Sequence, residues 1–77
     1  MSYGYSVKLI ELNKSADRRN LGVRLGRICI KHDVPVVRVA ARLGVSRQAV
    51  YNWFAGVSNP KPPVAKKIER YISKLQR

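Results

Sequence analysis

Four residues within a span of six, Arg47, Gln48, Tyr51 and Asn52, are the best equipped in this chain to recognise another molecule. Gln48 and Asn52 are four apart, the spacing that puts two side chains on one face of a helix. Each ends in an amide that donates and accepts a hydrogen bond at once, the combination that an adenine edge requires. Arg47 can fork onto a guanine or onto a phosphate. Tyr51 offers a ring to a thymine methyl or a hydroxyl to a phosphate. The plainer reading of Gln48 and Asn52 is a solvated face on an ordinary helix.

The stretch that holds them, LGVSRQAVYNWFAG (Leu43–Gly56), breaks a helix and restarts it within two residues. Gly44 suits the left-handed conformation that ends many helices, and Ser46 can cap the start of the next with its hydroxyl. Two short helices joined so tightly must cross steeply, with Val45 plugging the corner. The helix before the turn starts at Pro35 and buries Val36, Val39, Ala40 and Leu43; the one after it, Ser46–Phe54, turns Ala49, Val50 and Trp53 inward.

An earlier helix is expected from about Asp17 to His32, capped by Asp17 or Asn20, with Leu21, Leu25, Ile28 and His32 on one stripe. Gly22 and Gly26 each cost roughly 1 kcal/mol relative to alanine, and their simplest use is close approach of another helix or of a phosphate backbone. A last helix, about Pro63 to Gln76, has Val64, Ile68, Tyr71, Ile72 and Leu75 on its apolar face. Its other face carries Lys66, Lys67, Arg70 and Lys74. Residues Met1 to Tyr5 are read as a mobile arm, with Tyr3 and Tyr5 as possible DNA contacts. Val7 to Leu12 is ambiguous between strand and helical turn.

The chain has 77 residues, with sixteen Lys and Arg against four acidic residues and a formal net charge of +12. That length suits one compact domain burying roughly 60% of its unfolded surface, too small for deep cavities. The charge attracts a polyanion, either nucleic acid or an anionic membrane. Because no apolar run approaches the roughly 20 residues that span a bilayer, and no signal-peptide pattern is present, no membrane role is expected. The chain reads as soluble, cytoplasmic and nucleoid-associated. Cys29 and His32 are the only residues of their types, so neither a disulfide nor a cysteine-rich metal site is expected. Cys29 reads as a core hydrophobe and His32 as a helix-end residue. Lacking a phosphate loop and a nucleophile with its base, the chain is not expected to be an enzyme or to hold a cofactor.

From "LGVRLGRI" through "VAARLGVSRQAVYNWFAGVSNP" to the last helix, the order of Ala40, Gly44, Val45 and an outward polar face resembles the helix-turn-helix of the phage-repressor and Cro type, a superfamily of DNA-binding regulators. The expected fold is all-α, a compact repressor-like domain of four to five helices over residues 17–77, preceded by an arm, short strand or helix over 1–16. The resemblance implies that Ser46–Phe54 enters the major groove, with Arg47, Gln48, Tyr51 and Asn52 on the bases, while the helix from Pro35 crosses the backbone. Where the family often has a phosphate-touching glutamine this chain has Val36, so phosphate contacts are assigned to Arg38, Arg42, Ser46 and Lys61. Where the family often has an arginine and a glutamate it has Cys29 and Phe54, an apolar pair that avoids a buried ion pair.

The leading expectation is a sequence-specific duplex-DNA regulator of the phage or mobile-element kind, a homodimer on half-sites about 34 Å apart. Its dimer surface would be the Tyr71, Ile72 and Leu75 end of the last helix or strand pairing through Val7–Leu12. Two other classes stay open. One is a protein that captures a partner, such as a polymerase or replication factor, through surplus apolar residues Val23, Ile30 and Val37. The other is a charge-driven coat on DNA or RNA.

Overall fold

A computed structural model describes residues 5–76, and five helices account for their regular structure: α1 (Val7–Ser15), α2 (Leu21–Lys31), α3 (Val36–Leu43), α4 (Arg47–Phe54) and α5 (Pro62–Leu75). No strand occurs among the described residues. Helix α2 is the hub, packing on α1, α4 and α5, while α3 packs on α4 and α5.

The ambiguity over Val7–Leu12 resolves to a helix. Ser6 caps α1 by accepting from the Leu9 N–H at 3.1 Å, and Leu9 and Asn13, four apart, turn into the core. A helix keeps its backbone groups for itself, so strand pairing across a two-fold axis through this segment is ruled out. Tyr5 is corrected as well. It is buried, its ring stacks on Phe54 with centroids 6.2 Å apart, and its hydroxyl donates to the Val34 carbonyl. Because Tyr5 is covered by a core that the distant Phe54 supplies, it is not an arm residue available to DNA. Tyr3 lies outside the described residues.

Helix α2 starts at Leu21 rather than Asp17 because each candidate cap serves a different turn. Asn20 accepts from the Gly22 N–H at 2.8 Å and opens the helix. Asp17 closes a turn of its own, accepting from the Arg19 N–H at 2.9 Å and pairing with the Arg19 guanidinium at 3.0 Å. The buried face of α2 is wider than one stripe: Val23, Leu25 and Cys29 are fully buried, while Leu21 and Ile28 are half-buried and His32 is exposed.

That width comes from how closely α4 approaches. A β-carbon added at Gly22 would lie 2.5 Å from Cβ of Trp53, and one at Gly26 would lie 2.6 Å from Nδ2 of Asn13 and 2.9 Å from the Phe54 ring. Both glycines therefore serve contacts between helices. Asn13, unnoticed in the sequence, ties three helices together: its Nδ2 donates to the carbonyls of Val23 at 3.1 Å and Phe54 at 2.7 Å. Arg27 holds the same junction from the other side, its Nη2 donating to the carbonyls of Lys14 at 2.8 Å and Asn13 at 3.3 Å. These satisfy carbonyls left over at the end of α1.

Two expected surfaces are corrected by burial. Val23 is fully buried, Ile30 packs partly against the core, and of the three surplus apolar residues Val37 alone is largely exposed, so they form no docking patch. Tyr71 and Ile72 are core residues at 9% and 4% exposure, which removes them from any dimer surface. Val64 and Leu75 flank them as half-buried neighbours.

Two outcomes test this packing. In urea melts, Gly26→Ala should destabilise by about 1 to 3 kcal/mol through overpacking, and Asn13→Ala by a similar amount through carbonyls left unpaired. The second concerns Cys29, whose thiol burial pushes up from 9.0 to about 12. An unfolded chain loses that proton first, so the stability Cys29 contributes is whole below pH 9.0 and is lost as pH rises towards 12. Melts at rising pH should show a shallower alkaline loss in Cys29→Ala than in the parent chain.

Candidate nucleic-acid interface

The turn between α3 and α4 is built as its residues dictate. Gly44 ends α3 with φ 70° and ψ 37°, the left-handed region that an L side chain resists. Ser46 then accepts from the Ala49 N–H at 3.1 Å, capping α4. Between them Val45 is half-buried against the core. Helix α3 buries Val36, Val39, Ala40 and Leu43, and α4 buries Val50, Trp53 and Phe54 with Ala49 half-buried.

With those faces committed, the rest of α4 looks outward. Arg47, Gln48 and Tyr51 are exposed and Asn52 is half-buried. Gln48 Nε2 donates to Asn52 Oδ1 at 3.0 Å, joining the two amides along the helix. The bond takes one Gln48 N–H and one Asn52 lone pair, leaving Gln48 with a donor and an acceptor on the same planar amide. Asn52 is steadied from behind, because its backbone carbonyl accepts from the Val57 N–H at 2.9 Å in the loop after α4. The pair thus presents two amides joined along the exposed face of α4.

Arg38 and Arg42 stand four apart on the exposed side of α3, Ser46 lies in the turn, and Lys61 occupies the cap position of α5. All four are exposed. Among the described residues the ion pair is Asp17 with Arg19, which leaves Arg38, Arg42, Arg47 and Lys61 without a carboxylate partner. Their counterions can be exchanged for phosphates. Val36, by contrast, is buried at 6% exposure and faces the core. Arg42 and Arg38 lie towards α5: the Arg42 guanidinium sits over the Tyr71 ring, and both charges act on the Tyr71 hydroxyl.

Cys29 and Phe54 are both fully buried in one apolar cluster, where the family often has a charged pair. No helix among the described residues is long and apolar enough to cross a membrane.

Comparison with known proteins agrees with this geometry. A family model described as helix-turn-helix matches residues 27–74, from the middle of α2 to the last turn of α5. No curated protein and no solved structure matches the chain. The matched segment contains α3, the Gly44 turn and α4 entire, and covers more than half of the sequence; the chain belongs to the Cro/C1-type helix-turn-helix family of DNA-binding regulatory domains.

Proposed function

We propose that this protein is a sequence-specific transcription regulator, a repressor of the phage or mobile-element kind, that reads duplex DNA by laying α4 in the major groove. The observation that carries the reading is the joined amide pair Gln48–Asn52 on the exposed face of α4, with Arg47 and Tyr51 beside it. A face built for charge attraction alone has no use for two oriented amides. A donor and an acceptor held side by side match the N7 and N6 positions of adenine. In this reading Arg47 and Tyr51 also meet base edges, while Arg38, Arg42, Ser46 and Lys61 hold phosphates, which fix register and carry no sequence information.

Two chains on one operator would double the site, with half-sites about 34 Å apart along the duplex. The proposed role of the protein in the cell is therefore occupancy of an inverted repeat in the cytoplasm, without catalysis and without a cofactor.

The test is selection from a random duplex library followed by salt titration of the recovered pool. The expected result is an enriched inverted repeat that outlasts bulk DNA as salt rises. Gln48→Ala and Asn52→Ala should each relax the motif at defined positions by about 1 to 3 kcal/mol. A side chain that only holds phosphate should instead lower the salt slope by about 0.9 when removed, with the motif unchanged. An unenriched pool, or a motif indifferent to both amide substitutions, would overturn the reading in favour of charge-driven coating.

A further inference from the structure

Helix α5 packs on α2 and α3. Its exposed side carries Lys67, Arg70 and Lys74 at steps of three and four, one straight row along the helix. Opposite the row, Arg42 of α3 lays its guanidinium over the Tyr71 ring, 5.9 Å from the centroid. These four cations, with Leu43 and Tyr71 as the floor, line a cleft of about 150 Å³. Glu69 of the same helix does not line it.

No carboxylate among the described residues pairs with any of the four cations. Like charges facing each other across a cleft repel, and a bound anion relieves the repulsion. Burial pushes the Tyr71 hydroxyl up while Arg38 and Arg42 pull it back, so Arg38 adds its field to the same cleft.

The shape selects among anions. Lys67 to Lys74 spans about 10 Å along the helix axis. Along the duplex axis one DNA strand rises about 3.4 Å per phosphate, so the row is as long as about three phosphate-to-phosphate steps. An open groove with cations in a line suits a linear polyanion better than a single small ion.

No residue of α4 lines the cleft, and α3 packs on both α4 and α5. We propose that the α3/α5 cleft holds the phosphate backbone of a second duplex segment through Lys67, Arg70 and Lys74, with Arg42 at the cleft edge between the two backbones, so that one chain bridges the DNA bound at α4 to another stretch. The cleft is read by its charge and shape, independently of base recognition by Gln48 and Asn52.

The experiment compares the full chain with a Lys67→Gln/Arg70→Gln/Lys74→Gln variant, using short duplexes of random sequence in excess. Sedimentation counts duplexes per chain, which separates a second site on one chain from dimerisation. Unfolding curves confirm that the exposed substitutions leave the fold intact. The expected result is two duplexes per chain for the parent and one for the variant, whose second site weakens by about a hundredfold at physiological salt. One duplex per chain in the parent, or an unchanged second site in the variant, overturns the proposal. Binding of a poly-glutamate peptide through these three residues with no second duplex would also overturn it, assigning the cleft to an acidic protein segment. Because random duplexes carry no operator, failure to select a motif would leave this result standing, and loss of the second duplex would leave motif selection standing.

Discussion

Helices α2 and α4 meet so closely that neither Gly22 nor Gly26 leaves room for a β-carbon. The rest of the molecule is arranged around that contact. It lets Trp53 and Phe54 settle on α2, and in doing so it fixes the rotation of α4 about its own axis. With Val50, Trp53 and Phe54 facing α2 and the core, the helical period leaves Arg47, Gln48 and Tyr51 facing out. A larger residue at either glycine would push α4 away and turn its outward face. The intrinsic cost of two glycines in a helix, roughly 1 kcal/mol each, is offset by the apolar surface this approach removes from water.

Asn13 shows how the contact is made specific. A buried amide that donates to carbonyls on α2 and α4 has few alternative arrangements, so α1 is locked in one register over the junction. Tyr5 and Leu9 then cover Phe54 and its neighbours from the same side. Tyr5 and α1 are thus part of the core, holding from behind the helix whose front face carries Gln48 and Asn52.

Charge works against this small core. With a net charge of +12 and Asp17–Arg19 as the ion pair among the described residues, folding gathers cations that repel one another. Most of those charges stay at the surface, as where Leu43 and Tyr71 lie beneath the cations between α3 and α5, while Arg27 is drawn into the junction with α1 and donates to the carbonyls of Asn13 and Lys14. Stability and polyanion binding are thereby assigned to different atoms. The guanidinium of Arg42 over Tyr71 is where the two meet.

What the sequence determined alone were the features that act within a few residues: the left-handed stop at Gly44, the Ser46 cap, and the apolar stripes of α3, α4 and α5. These follow from backbone sterics, local hydrogen bonds and the 3.6-residue period, which need no partner from elsewhere. Even where sequence left two options, as with Asp17 and Asn20, both proved to be local caps of neighbouring turns. The tertiary structure decided the rest. It buried Val23, Tyr5 and Tyr71, gave Asn13 its two carbonyls, and made Val7–Ser15 a helix. It also gathered cations from α3 and α5 into one cleft. Burial and pairing depend on residues far apart in the chain, such as Tyr5 against Phe54 or Arg42 against Tyr71, and those distances are set only when the helices pack.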